Sequence, residues 1–448
     1  MPKGQYNLIP LQGFPLEVGD ILDKRAIAFW LATGFMLGND SFYENIKWRG
    51  SKVKQPWYHV PVHTSLADIT DRFAILFESI VREQIDGRKV LLGLSGGLDS
   101  RTLAVALKRI GASVHSYSYG FAGSFKETKY GKEIAKKAGW TFDNLEIPPG
   151  YLWDKIDAAC AINHGYSEFT HPRQIAVLED LSKKGDVFLL GHWGDVLFDD
   201  MGVPDELNFS DQVKSIKKKI VKKGGVELAS DLWHEWGLEG NFSELLDQRI
   251  SSMHKDINLG NANKNIRAFK SLYWATRWTT TNLSFFSHYA PIELPYYDDR
   301  MCKFICEVPE KYLTGRKIQI EYIKKYAPEL ASISWQSKEP YNLFNYHRHL
   351  SFRHLPWRVT NKMKRVFRKT VLKKNLIQRN WEIQFLGAQN DQNLRHWLFE
   401  NPLLQEIVPK QIIEKYYEKF VNEDNVYWSH PVSMLLTLSV MLKNNNSR

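Results

Sequence analysis

The chain has 448 residues, 43% of them hydrophobic and 13% aromatic, and carries a formal net charge of +10, which predicts a packed globular protein of two or three domains and excludes a disordered chain. The apolar stretch 26–38 is too short to span a bilayer, and Met1-Pro-Lys-Gly-Gln lacks the apolar core of a signal peptide, so the expected location is cytoplasmic. Cys160, Cys302 and Cys306 form no Cys-x-x-Cys pair and meet no histidine array, so the sequence suggests neither a disulfide framework nor structural zinc.

The segment 71–85 carries apolar residues at helical spacing and is predicted to pack beside the first strand, with Gly87 ending it. Lys89 to Leu94 reads as a buried strand, and Leu103, Leu107 and Ile110 recur at helical spacing after it. Between them lies Ser95-Gly-Gly-Leu-Asp-Ser100. Strand, glycine turn and helix are placed to hold a phosphate: the glycines permit close backbone approach, and the helix N-terminus adds partial positive charge. Asp99 would repel that phosphate unless a divalent cation lay between them, so it implies magnesium. The loop differs from the lysine-bearing Gly-x-x-x-x-Gly-Lys-Ser/Thr loop and resembles the pyrophosphate loop of enzymes that cleave ATP to AMP.

Ser113 to Tyr119 alternates as a strand, Glu127 to Ala138 as a helix, and Phe142 to Ile147 and Asp186 to Leu190 as further strands. This alternation predicts a doubly wound parallel α/β sheet with ligands at the carboxyl ends of its strands. The last strand runs into Gly191-His-Trp-Gly-Asp195, whose carboxylate is placed to meet Asp99 on one magnesium. From Ser210 onward strand signals fade and helices dominate. From Pro340 to Trp381 there is no Asp or Glu, while Arg348, Arg353, Arg358, Lys362, Lys364, Arg365, Arg368, Lys369, Lys373, Lys374 and Arg379 all fall there. Such a segment suits an anionic surface or substrate, or is a solvated insertion; no base-reading motif points to a specific nucleic acid.

Together these motifs resemble the synthetase domain of the asparagine synthetase family, which includes β-lactam synthetases and lasso-peptide cyclases. Ser95 to Ser100 matches the family's Ser-Gly-Gly-x-Asp-Ser, and Gly191, Asp195, Leu197 and Phe198 match its second turn. Glu127 falls at a family acidic position, Pro295-Tyr-Tyr-Asp298 resembles Pro-Phe-Leu-Asp, Trp335-Gln-Ser-Lys-Glu339 resembles Trp-Arg-x-Lys-Glu, and His430 to Leu438 resembles the closing helix. The resemblance implies the pyrophosphate-loop fold of the adenine nucleotide alpha-hydrolase type, with a mainly helical C-terminal part. It places adenine near Leu94 and Ser118, and the phosphates at Ser95, Gly96, Gly97, Asp99, Ser100 and Gly191. Magnesium falls on Asp99 and Asp195, and Lys338 takes the position of the catalytic lysine.

Departures from the family bear on the amine. Pro2 stands where full-length members carry a nucleophilic cysteine, and Ala26 to Trp48 resembles only the tail of their glutaminase domain. The expected organisation is a glutaminase-like remnant over 1–65, an ATP-binding domain over 66–340, and a basic insertion with C-terminal helices over 341–448. Val196 replaces an acidic residue, and the acidic side chain of Glu-x-Arg has either moved to Glu293 or been lost. His192 and Trp193 are expected to narrow the site. The expectation is an ATP-dependent amide ligase that adenylates a carboxylate (aspartate, a uronic acid or a peptide carboxylate) for attack by free ammonia, ammonia from a separate glutaminase subunit, or an amino group on another substrate. The alternative is a non-catalytic ATP-binding subunit.

Overall fold

The computed structural model describes residues 19, 21–48, 57–122, 128–170, 172–352, 357, 359–360, 362–363, 366–367 and 384–446. Helix α1 (Lys24–Thr33) is followed by α2 (Leu66–Ile85), whose first turn is capped by Ser65 accepting from the Asp68 amide at 3.1 Å. Asp86, at φ 46°, ends α2 one residue before the expected Gly87. Then come β1 (Val90–Gly93), α3 (Leu98–Arg109), β2 (Val114–Phe121), α4 (Thr128–Ala138), β3 (Thr141–Ile147), α5 (Tyr151–Asn163), α6 (Ile175–Ser182), β4 (Val187–Leu189) and the short α7 (Gly194–Phe198). The helical part supplies α8 (Phe209–Ile220), α9 (Gly225–Glu235), α10 (Phe242–His254) and α11 (Ala262–Phe269), the last continuing as a π-helix over Lys270–Thr279 into α12 (Thr280–Tyr289).

The strands form one parallel sheet in the order β3-β2-β1-β4-β5. The fifth, β5 (Ile292–Glu293), lies beyond Ser210, where strand signals had faded; two residues are too few to show alternation. The order reverses between β1 and β4, so the crevice for a ligand opens where these two strands end. Helices α2, α3 and α4, with α15 (Lys317–Tyr326), pack together on one side; α5, α6 and α12 pack on the other. Between β5 and α15 lie α13 (Asp299–Glu307) and α14 (Glu310–Leu313), and α16 (Pro328–Ala331) follows α15. Phe73 of α2 meets the Tyr322 ring of α15 at 5.2 Å, and Phe188 of β4 meets Phe286 of α12 at 5.3 Å, both edge to face.

The chain closes with α17 (Ala388–Phe399), α18 (Pro402–Ile407), α19 (Lys410–Glu418) and α20 (Ser429–Asn446). Helix α20 is buried against the start of the chain: the His430 Nε2 lies 2.8 Å from the Leu31 carbonyl, and Asn445 donates to the Tyr43 hydroxyl at 2.7 Å. Residues from Ala26 to Leu442 therefore share one hydrophobic core. Among the described residues no helix is long and apolar enough to cross a membrane. Of the basic side chains between 340 and 381 only Arg348 and Lys362 are described, both exposed; the rest of that segment lies outside the described residues, as does Glu127.

Candidate active site

The loop that leaves β1 is folded by its own hydroxyls. Ser100 Oγ accepts from the Ser95 amide at 3.2 Å and meets Ser95 Oγ at 3.1 Å, while Ser95 Oγ accepts from the Gly97 amide at 3.2 Å. Gly97 caps α3 in an extended conformation without a side chain, so the first-turn amides and their partial positive charge face outward. Gly96 is required by packing: a Cβ there would come 2.5 Å from Gln336 Cβ and 2.7 Å from Tyr130 Cδ2. At the neighbouring strand end Ser118 donates to the Leu94 carbonyl at 2.6 Å. The structure thus brings Leu94, Ser95, Gly96, Gly97, Ser100 and Ser118 to one edge of the sheet.

The second turn meets that edge. A Cβ on Gly191 would lie 3.2 Å from Asp99 Cβ, and one on Gly194 would collide with Asp99 Oδ1. Asp195 is exposed, and its charge reaches Asp99. Burial pushes the Asp99 carboxyl up from its ordinary value; Arg316 opposes the rise and Asp195 reinforces it. Arg316, in the left-handed region at φ 63°, donates to Asp99 Oδ1, as does Gln319 at 3.1 Å. Beneath them Tyr296, fully buried, donates to the Asp99 carbonyl at 3.1 Å.

Two carboxylates beside a phosphate-binding loop suit magnesium, which takes one or two protein carboxylates and completes its shell with phosphate oxygens and water. No group of three or more His, Cys, Asp or Glu assembles among the described residues, and a cation shared with phosphate needs none. Among the described residues Asp99 Oδ1 takes both side-chain hydrogen bonds, from Arg316 and Gln319, and a cation would relieve the like-charge pressure from Asp195. The residues therefore fit the ion.

Lys338 arrives from the other side of the loop. The Gln336 amide donates to the Gly96 carbonyl at 3.3 Å, and the 3-10 turn Gln336–Lys338 is closed by the Lys338 amide on the Trp335 carbonyl at 2.8 Å. Lys338 is half-buried, its Nζ 5.8 Å from the Trp335 ring centre. Arg101 of α3, fully buried, holds the approach to this turn by donating to the carbonyls of Ile333 and Ser334, each at 3.0 Å, and of Leu330 at 3.4 Å.

Glu293 is not brought to this cluster. Its carboxylate is ion-paired with Arg88, between α2 and β1, and burial raises it while Arg88 holds it down. Asp199 accepts from the amides of Asp200 and Gly315 at 2.9 and 3.0 Å, which ties it into the loop. The Trp193 ring is buried against Tyr297 at 4.9 Å, so it fills the core beneath the turn and does not narrow the site. His192 keeps Nδ1 without a partner among the described residues, and burial lowers its pKa to about 4.

Several site residues carry no signal in the sequence. Arg101 and Arg316 read as surface cations, and Gln319 as one polar residue on a helix. Tyr296 lies inside the Pro295 to Asp298 motif, whose family resemblance carries no sign of a buried hydroxyl under Asp99. Lys270 begins the π-helix beside Asp195, and burial brings its pKa down to about 8 against the pull of that carboxylate.

A parallel sheet with a glycine loop at its switch point, a carboxylate turn on the adjacent strand and a lysine turn seated on the loop define an α/β protein of the pyrophosphate-loop class. The sequence model of the family described as Asparagine synthase matches residues 72–405, and the chain belongs to that family. It is accordingly an ATP-using carbon–nitrogen ligase by family. No match is found among curated proteins.

Proposed function

We propose that this chain activates a carboxylate as an acyl-adenylate and transfers the acyl group to ammonia or another amine. The substrate carboxylate oxygen attacks the α-phosphorus of ATP, the bond to the bridging oxygen breaks, and pyrophosphate leaves. The amine then attacks the acyl carbon, AMP departs with the bonding pair, and the proton released from the amine nitrogen passes to solvent. Adenine sits by Leu94 and Ser118, and the first-turn amides of α3, presented by the folded Ser95 to Ser100 loop, hold the phosphates. Magnesium, held by Asp99 and Asp195, would neutralise pyrophosphate charge. Lys338 follows the charge that develops at phosphorus and carbon, as a mobile ammonium can.

The observation that carries this reading is the Gln336 to Gly96 hydrogen bond, which seats the Lys338 turn against the Ser95 to Ser100 loop. A non-catalytic binding subunit has no need of that arrangement, and nothing supports the alternative. The thiols of Cys160, Cys302 and Cys306 are all buried, and burial pushes Cys302 and Cys306 up, so they are unsuited to glutamine hydrolysis. On this reading the amine is free ammonia, ammonia from a separate glutaminase subunit, or an amino group of a second substrate, and the work is done in the cytoplasm. The basic 340–381 segment adds an anionic-surface or substrate contact. Incubation with ATP, magnesium and pooled acids tests the central step: AMP and pyrophosphate are expected. Turnover to ADP and phosphate, or ATP binding without any turnover, would sink it.

A further inference from the structure

Large apolar side chains left in water are scattered over most of the chain and crowded in one stretch. Among the described residues, eight of the fourteen exposed ones fall between Phe344 and Phe367. Scattered ones are ordinary surface, whereas a contiguous run marks a contact with something apolar. Leu350 is 73% exposed and Phe352 92%, and further on Val359, Met363 and Phe367 are 46%, 64% and 55% exposed. Residues 359–360, 362–363 and 366–367 are helical, so Val359, Met363 and Phe367, each four residues from the next, share one face. That face is turned to solvent, the reverse of an amphipathic helix packed on its own core.

The root of the stretch is fixed. Leu343 is buried and its amide donates to the Ala331 carbonyl at 3.1 Å, while the Tyr346 ring meets the Trp335 ring edge to face at 5.4 Å. Trp335 opens the turn that carries Lys338, so the exposed stretch starts beside the candidate active site. Its charge is one-sided: the sequence from Pro340 to Trp381 holds eleven Lys and Arg and no Asp or Glu. Arg348 and Lys362 are exposed and form no salt bridge among the described residues.

We propose that Leu350, Phe352, Val359, Met363 and Phe367 dock the protein in the plane of an anionic phospholipid surface. The proposal rests on the anionic contact assigned to the 340–381 segment, names its partner, and is independent of the ligase step. A bilayer offers such a stretch two layers: phosphate charge at the headgroups for the cations, and acyl chains just beneath for the apolar side chains. Leucine, valine and methionine cannot stack on a base, so a nucleic acid would use the cations and leave these side chains in water. Among the described residues no helix is long and apolar enough to cross a membrane, and burial of one helix face in the headgroup boundary needs none.

Co-sedimentation of the full chain with phosphatidylcholine vesicles, with and without roughly a third phosphatidylglycerol, tests the proposal. Binding to the anionic vesicles is expected to be about tenfold tighter than to the neutral ones, and to weaken as salt rises. The pairs Leu350→Glu with Phe352→Glu, and Met363→Glu with Phe367→Glu, are each expected to lose about tenfold in affinity. Ile75→Glu, at an equally exposed apolar position on α2, is expected to bind as the wild type does. Thermal melts unchanged from wild type show that the variants fold. Equal binding to both kinds of vesicle, no binding to either, or unweakened binding in either pair overturns the proposal. Retention of a single-stranded RNA oligonucleotide with no vesicle binding overturns it in favour of a nucleic acid. Vesicle binding through these residues with no AMP formed from any acid supports the docking face and refutes the ligase reading; AMP formation without vesicle binding does the reverse.

Discussion

Gly194 lies so close against the carboxylate of Asp99 that any side chain at 194 would strike Oδ1. The two residues come from turns after different strands, and their contact sets the separation of the Asp99 and Asp195 carboxylates. Gly194→Ala should push Asp99 aside while leaving the sheet intact. ATP-dependent turnover is expected to fall by about 100-fold, with the circular dichroism spectrum unchanged; wild-type turnover would show that the carboxylate tolerates displacement.

Arg316 and Gln319 both hold Asp99 Oδ1 and so turn its other oxygen outward. In Arg316→Met the carboxylate loses its orienting partner and its counter-charge. The expected result is weaker magnesium dependence of ATP binding, measured by titrating the metal at fixed nucleotide. An unaltered metal titration would make Arg316 a packing residue only.

Lys338 touches no carboxylate in an ion pair among the described residues and sits on the loop through its neighbours' backbone. Lys338→Gln should therefore bind ATP normally and lose about 100- to 1,000-fold in kcat. Separate measurement of nucleotide affinity and single-turnover AMP formation distinguishes this from a loss of binding.

Arg101 is buried among three carbonyls, and burial lowers its pKa to about 10. Arg101→Met leaves those carbonyls without their donor. Loss of roughly 3 kcal/mol of stability is expected from hydrogen bonds to a charged group, together with reduced turnover as the Lys338 turn loosens. Urea denaturation and AMP formation on the same sample check both.

His254 is fully buried with Nε2 3.0 Å from Gln212 Oε1, and burial lowers its pKa to about 4. The unfolded chain takes up the proton near pH 6.5, the folded chain only near 4, so this group's contribution is complete above 6.5 and is lost as pH falls toward 4. The loss amounts to roughly 2 kcal/mol at pH 5. Denaturant melts of wild type and His254→Gln at pH 7.5 and 5 should differ in slope with pH, the variant falling less.

The loop was legible because Ser95 to Ser100 fold on one another: serine hydroxyls and glycines within six residues carry their own conformation. Asp195 was legible from its place after a strand. The struts were not, because Arg101, Arg316 and Gln319 act on groups more than 200 residues away, and local periodicity holds no record of such contacts. Trp193 misled because a large residue in a site turn reads as a wall, whereas its backbone at φ 78° turns the ring into the core.

The bond from His430 to the Leu31 carbonyl joins residues 399 apart. On the ribosome, α1 is made early with Trp30 and Leu31 destined for full burial, yet the helix it chiefly packs against, α9, begins only at Gly225. The nascent chain therefore carries an uncovered apolar helix through the first half of its synthesis, a state that invites holding by chaperones. The last of the seal comes later still: a chain stopped before residue 430 leaves the Leu31 carbonyl without its His430 partner.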